Sequence, residues 1–311
     1  MVSISMTRRG VLAAGAAAPL AVGLGLTPAR AAADVMGMKI PPYFRFSLGG
    51  FEITTLLAGT RTVPDPHTIF GLNVDEASFA EASHLHLIPA HAAQFFFHPT
   101  LVNTGRELIL FDTGLAAEGI VGALAAADVT PDQIDVVVLT HMHGDHIGGL
   151  TGAAGLTFAN ARYVTGQVEF DAWAAMGNEM FDTKVRPLAE NMTFLGGGDS
   201  VASGITAIEV FGHTPGHMAY MLESEGKQLV LAVDFANHFV WSLGYPDWEV
   251  RFDMDKAQAA VSRRRLLDMM AADRLPFIGY HMPFPAVGFA EARGDGFRYV
   301  PGLYQMMIAS G

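Results

Sequence analysis

His141-Met142-His143-Gly144-Asp145-His146 sets three imidazoles and one carboxylate within six residues, directly after Asp135-Val136-Val137-Val138-Leu139-Thr140. The apolar run reads as a strand buried on both faces, deep in a sheet. The histidines then sit on a loop at a strand's carboxyl end, where closely spaced ligands can converge without a helix to space them. Burying so many polar rings without a shared cation is costly. Imidazole with carboxylate suits zinc, manganese, iron or cobalt.

Such a loop needs partners, and three segments further along repeat its setting. Gly212-His213-Thr214-Pro215-Gly216-His217 ends an expected strand over 205–211, Asp234 ends one over 228–233, and His281 ends one over 277–280. A lone Asp or His at a strand end is ordinarily a turn residue or a satisfied polar group. Their shared position at strand ends raises all of them to candidate ligands meeting at one rim.

The rest of the pattern is of two rounds of strands followed by helices. A strand is expected over 51–59, a hairpin over 95–103 and 107–112 around Thr104-Gly105, and a helix over 115–127. After the histidine loop come a strand over 162–165 and a helix over 168–176. Strands over 205–211, 218–223 and 228–233 follow, with Glu225-Gly226-Lys227 turning the last hairpin. A long helix spans 256–272. This order suggests an α/β fold with two sheets sandwiched between helices. Residues 60–92, with Pro64, Pro66 and Pro89 and His67, His84, His86 and His91, read as a long irregular loop or lid whose histidines lie at the surface.

The 311 residues are half apolar, enough for a large core. There are no cysteines, which excludes disulfides, thiolate ligands and a cysteine nucleophile. With 31 acidic against 19 basic side chains the formal charge is -12. That balance disfavours nucleic acid as a partner and points to a neutral or weakly charged small molecule. Thr7-Arg8-Arg9-Gly10-Val11-Leu12 opens a short apolar run that ends near Pro28-Ala29-Arg30-Ala31-Ala32, the parts of a cleavable export signal. The paired arginines give it a relaxed twin-arginine character, with Val11 and Ala13 where that motif usually has Phe and Lys. Cleavage after Ala31 would release 32–311 to the periplasm or the medium, with no membrane attachment.

Taken in order, His-x-His-x-Asp-His, Gly-His-Thr-Pro-Gly-His, Asp and His resemble the metallo-β-lactamase superfamily over residues 45–300. The resemblance implies an αββα sandwich in a single domain and two divalent ions, zinc foremost. His141, His143 and His213 would hold one ion, Asp145, His146 and His281 the other, and Asp234 would bridge them. Asp145 and Asp234 would be the catalytic carboxylates. Phe111-Asp112-Thr113-Gly114 is similar to the superfamily's early Asp motif, with Asp112 orienting the ligand loop, and His217 would support its own turn. Two ions about 3.5–4 Å apart can share a water and lower its pKa toward about 7 for attack on carbon or phosphorus.

The flanking segments Leu101-Val102-Asn103-Thr104-Gly105, Ile147-Gly148-Gly149-Leu150, His281-Met282-Pro283-Phe284-Pro285 and Gly296-Phe297-Arg298-Tyr299-Val300-Pro301 look like those of the methyl parathion hydrolase group. That likeness implies an exported hydrolase of lactones, aryl esters or organophosphate triesters, in a homodimer. Asn237 stands where acyl-homoserine lactonases often carry Tyr, which weakens that one subgroup. The candidate pocket aromatics are Trp173, Phe181, Phe235, Trp241 and Phe284, with core packing an equal claim on them. Phe95-Phe96-Phe97 reads as a buried strand and His238 as a neighbour that could orient a ligand. Three alternatives stand beside the ester hydrolase: a dedicated phosphotriesterase, a β-lactamase, and a redox or metal-binding protein that kept the fold without hydrolysis.

Overall fold

The apolar strand 136–139 alternates between two environments, and this alternation organises the molecule. In the computed structural model, which describes residues 39–308, Val136 and Val138 point into one core while Val137 and Leu139 point into another. Successive strand side chains face opposite sides of a sheet, so a strand buried on both faces must be apolar throughout. The expected export signal over 1–31 lies outside the described residues.

Val136–Leu139 is central in a seven-stranded mixed sheet of order Tyr43–Leu48, Phe51–Leu56, Thr100–Asn103, Leu108–Phe111, Val136–Leu139, Arg162–Gly166, Met192–Leu195. Its neighbours Leu108–Phe111 and Arg162–Gly166 both run parallel to it. A second seven-stranded sheet runs Ser200–Ala202, Ile205–Glu209, Met218–Ser224, Lys227–Val233, Pro276–Gly279, Val287–Arg293, Gly296–Pro301. Val136, Val138, Ile109 and Val164 of the first sheet share the inner core with Ile205, Tyr220, Leu231 and Ile278 of the second. The first sheet's other face packs Val137, Leu139 and Leu110 against Ile120 and Leu124 of helix Ala117–Ala126 and Trp173 of helix Gln167–Met176. The second sheet's outer face packs Val230, Ala232 and Phe277 against Leu266, Leu267 and Met270 of helix Lys256–Ala272. The layers are helix, sheet, sheet, helix, as the sequence pattern implied.

Helix Lys256–Ala272 matches its expected limits because both signals are local. Asp255 accepts the Gln258 N–H at 2.9 Å as N-cap. Ala259, Ser262, Arg263, Leu266, Leu267 and Met270 form one buried stripe at helical spacing. Among the described residues no helix is long and apolar enough to cross a membrane.

Two expectations need correction. The strand expected over 95–103 is two strands, because Pro99 cannot donate to a ladder. Ala92–Phe97 turns away from the main sheet to pair with Gly59–Pro64, while Thr100–Asn103 enters it. Residues 60–92 are likewise not an irregular loop. They hold most of that outer strand and a helix, Glu76–Leu85, capped by Asp75, which accepts the Ser78 N–H at 2.7 Å. Only Phe79, Ala82 and Ser83 of this helix are buried. That stripe is too thin to stand out against the polar residues around it.

Candidate metal centre

The seven candidate ligands gather at one rim because each follows a strand that ends there. His141, His143, Asp145 and His146 follow Val136–Leu139 of the first sheet. His213, Asp234 and His281 follow Ile205–Glu209, Lys227–Val233 and Pro276–Gly279 of the second. Three overlapping groups have their ligand atoms within 4.8 Å of one another: His141, His143 and His213; His141, His146 and Asp234; Asp145, His146 and His281. Each group draws on both sheets.

Asp234 is the centre of the array. Its Oδ2 lies 3.1 Å from His281 Nε2, 3.4 Å from His213 Nε2, 3.5 Å from His146 Nε2 and 4.0 Å from His141 Nε2. Asp145 Oδ2 is 3.4 Å from His281 Nε2 and 3.6 Å from His146 Nε2. His143 Nδ1 faces both His141 Nε2 at 3.2 Å and His213 Nε2 at 3.0 Å.

The residues present fit a pair of cations. Three imidazole nitrogens aimed at one point have more lone pairs than protons to share when neutral, and they repel when charged. His146 Nε2 and Asp234 Oδ1 are fully buried with no hydrogen-bond partner among the described atoms, an expensive state for polar atoms. Electrostatics point the same way. Burial favours neutral imidazole at His146, yet the charges of Asp234, Asp112 and Asp145 hold its pKa well above the ordinary value. Burial also lowers His213, but the hydrogen bonds its ring donates to Asp234 and Asp253 bring it up to about 9. At Asp234 burial opposes ionisation, and the neighbouring His281 and His146 still keep the carboxyl well below its usual range. The carboxylates thus demand positive charge, which protons supply where no metal does.

Outside the array His146, His281 and His213 are each fixed through the second nitrogen. Asp112, in a left-handed conformation at φ 62°, holds His146 Nδ1 at 2.8 Å and accepts both the Thr140 N–H at 2.9 Å and its hydroxyl at 2.8 Å. His281 Nδ1 donates to the Phe96 carbonyl at 2.9 Å. His213 Nδ1 donates to Asp253 Oδ1 at 2.9 Å, and Arg263 donates to Asp253 Oδ2 at 2.6 Å. His217 supports its turn: Nδ1 donates to the Val210 carbonyl at 3.2 Å and Nε2 accepts the Asp234 N–H at 3.3 Å. Burial pushes this ring down to about 3, which suits the neutral tautomer those bonds require.

The array opens into a cleft of about 460 Å³, walled by His143, Asp145, His213, Asp234 and His281 on one side and by Arg61, Val63, Phe95, Phe97, Leu115, Met180 and Phe252 among others. None of the five aromatics expected in a pocket lines it. Trp173 stands behind His143, ring edge to face at 5.8 Å. Phe181 is in the helical core, Phe235 packs on Phe277, Trp241 donates its Nε1–H to Ser83 and stacks on Phe79, and Phe284 lies beside His98. His238 does not hold a ligand: its Nδ1 accepts the Val240 and Trp241 N–H groups and its ring stacks on Trp241. The aromatics that do face the cleft are Phe95 and Phe97, expected only as a buried strand, and Phe252.

The family model described as the metallo-beta-lactamase superfamily matches residues 98–277, more than half of the chain. The chain belongs to this superfamily. Hydroxyacylglutathione hydrolase of Aeromonas hydrophila is 32% identical over 124 residues, 39% of this chain and 40% of that protein. An N-acyl homoserine lactonase of Bacillus sp is 26% identical over 161 residues, 52% of this chain and 61% of that one. The chain therefore spans about half the length of these curated relatives. Among solved structures, AidC, a dizinc quorum-quenching lactonase, superposes with a TM-score of 0.76 at 23% identity, covering 83% of this chain and 97% of that one. The hydrolase AbOPH gives 0.77 at 24%, covering 85% and 98%. At these identities both likenesses speak for the fold.

Two supports of this metallo-beta-lactamase site went unread in the sequence. Glu169, buried on helix Gln167–Met176, accepts the Met142 N–H at 3.0 Å, the Thr214 hydroxyl at 2.8 Å and the Gly216 N–H at 2.8 Å. One carboxylate thus ties the ligand segment at Met142, just before the short helix Gly144–Ile147, to the 212–217 loop, and a single Glu in a helix carries no sign of this. The Asp253–Arg263 pair had a sign: Arg263 occupies a core position in the stripe of helix Lys256–Ala272, where an arginine must have a buried partner.

Proposed function

We propose that this chain is a two-metal hydrolase of small esters, with lactones and aryl esters as its main substrates and organophosphate triesters as a further class. The observation that carries this reading is Asp234, whose single Oδ2 is shared among four imidazoles at the floor of an open cleft. His141, His143 and His213 would hold one ion, Asp145, His146 and His281 the other, with Asp234 between them. Zinc suits this nitrogen-rich donor set. Bound there, two such ions would supply an activated water and polarise the scissile carbonyl or phosphoryl group.

The chain's own residues supply the rest. Asp253 and Asp112 hold His213 and His146 in fixed tautomers, so ligand nitrogens rather than N–H groups face the centre. Asp145 is the ligand carboxylate with solvent access, its side chain 22% exposed against 3% for Asp234. It is thus placed to accept a proton from the attacking water or pass one to the leaving oxygen. Val63, Phe95, Phe97 and Phe252 line the cleft and would exclude water around an apolar acyl or aryl group.

The test is turnover by the purified zinc-loaded protein on a medium-chain acyl-homoserine lactone, an aryl acetate and methyl paraoxon, with Asp234→Ala as blank. Ester or lactone hydrolysis that disappears in the variant is expected. Turnover confined to methyl paraoxon would make the chain a dedicated phosphotriesterase. Inactivity on all three with two zinc ions bound would remove the reading.

A further inference from the structure

Two guanidinium groups line the cleft with the ligand side chains: Arg61 and Arg251. Their placement is set by backbone pairing. Arg61 lies directly opposite Phe95 in the antiparallel pair of Gly59–Pro64 with Ala92–Phe97. Opposed residues share a face and alternate residues return to it, so Arg61 and Val63 stand beside Phe95 and Phe97 over the cleft. The Arg251 N–H donates to the Ile69 carbonyl at 2.8 Å, and Phe70 pairs with Val250. Asn73 fastens the same two segments: its Nδ2 donates to the Asp247 carbonyl at 3.1 Å and its Oδ1 accepts the Glu249 N–H at 2.9 Å. The Arg251 guanidinium rests 5.4 Å from the Phe252 ring centre.

An arginine is ordinarily solvated or paired, and among the described residues six are paired with a carboxylate. Arg45, Arg162, Arg186, Arg263, Arg264 and Arg298 each have a carboxylate within 4.0 Å. Arg61 and Arg251 have none among the described residues, nor do Arg106, Arg265, Arg274 and Arg293, but of these six only Arg61 and Arg251 line the cleft. Acidic side chains outnumber basic ones 31 to 19, so partners for them were not scarce. Two unpaired cations instead share an otherwise apolar wall above the candidate metal centre. A guanidinium beside apolar surface takes planar or tetrahedral oxyanions through paired N–H groups.

We propose that Arg61 and Arg251 form an anion subsite in this cleft, so that the preferred substrate carries a carboxylate or phosphate-type group away from the bond that is cleaved. The proposal rests on the hydrolase reading and narrows its substrate class. It also departs from the neutral or weakly charged substrate suggested by overall composition, because the local charge of the wall is opposite to that of the chain.

The experiment compares phenyl acetate, 4-acetoxybenzoate and 4-acetoxyphenylphosphonate on the zinc-loaded protein, each rate corrected for that ester's own hydroxide reaction. The readout is the ratio of kcat/KM for each anionic ester to that for phenyl acetate. Two solvent-exposed ion pairs together give a preference of roughly tenfold. This ratio should fall toward one in R61Q/R251Q and with rising salt, and the faster of the two anions identifies the group recognised. A ratio of one or less in the unaltered protein, or a preference that survives in R61Q/R251Q, overturns the subsite. Failure of all three esters would instead count against the hydrolase reading. The subsite is then decided by calorimetric titration of the zinc-loaded protein with 4-acetamidobenzoate and 4-acetamidobenzamide. Tighter binding of the acid that is lost in R61Q/R251Q upholds it, and equal binding of the two overturns it.

Discussion

Asp253 Oδ1 stands 2.9 Å from His213 Nδ1 while its other oxygen takes a 2.6 Å hydrogen bond from Arg263, so a buried arginine reaches a candidate metal ligand through one carboxylate. Asp253→Asn keeps the shape but weakens the hold on the ring. Loss of such an outer partner typically costs about 10–100-fold in metal affinity. Chelator competition should show that loss in Asp253→Asn. Arg263→Met leaves Asp253 buried without its cation, and breaking a buried pair from one side costs about 3–5 kcal/mol. In Asp253→Asn the guanidinium keeps the Phe235 and Pro246 carbonyls at 2.8 Å each. Arg263→Met strips all three acceptors of their donor, so thermal unfolding should register Arg263→Met more strongly.

Asp234→Ala removes the oxygen shared by four imidazoles. The strand before it is secured by its own ladder and by core residues Val230, Leu231, Ala232 and Val233, so the variant is expected to fold. Activity should fall by more than a hundredfold, on the order of 3 kcal/mol of lost transition-state stabilisation. Elemental analysis should find fewer than two ions per chain. A variant that kept full activity with metal bound would exclude the role assigned to Asp234.

Glu169→Ala deprives the Met142 N–H, the Gly216 N–H and the Thr214 hydroxyl of one shared acceptor. Each buried donor left unpaired costs about 1–3 kcal/mol. The melting temperature should drop in both metal-free and metal-loaded protein, because the clamp joins backbone and not ligands alone. A drop confined to the metal-loaded form would mean that the clamp serves only the bound state.

Stability and metal binding should respond to pH in opposite senses. The pKa of His213 rises to about 9 in the metal-free protein, above its usual 6.5. Its charged form therefore contributes stability that is complete below about pH 6.5 and is lost as pH climbs through about 9. Zinc needs the neutral ring, so over the same range its apparent affinity should rise as the competing proton leaves. Urea unfolding of the metal-free protein and chelator competition, each as a function of pH, should give slopes of opposite sign.

Much of the site was readable in the sequence because its ligands obey a short-range rule: each follows an apolar strand within a few residues. His141 to His146, His213, Asp234 and His281 needed no knowledge of how distant segments meet. The cleft wall did need it. Arg61 faces the site because its strand pairs with Ala92–Phe97, and Arg251 because its segment is bound to Ile69 and Asn73. The pocket aromatics were misplaced for a related reason. A large ring suits a core as well as a ligand site, and Trp241 and Phe235 are fully engaged by Ser83, Phe79 and Phe277. Helix Glu76–Leu85 was hidden because Ser83, a polar residue, occupies a buried position by donating to the Phe79 carbonyl at 2.8 Å.

Each ligand trio takes residues from both sheets, and this has a mechanical consequence. A cation held by such a trio is a rivet through the seam of the molecule. The two halves can then part only by shedding metal, since the ligands on either side cannot follow one another. Loading should slow unfolding far more than it speeds folding, because the rivet closes only after both rims are built. Chelators would act chiefly on the lifetime of the native protein, long before any change in its shape could be seen.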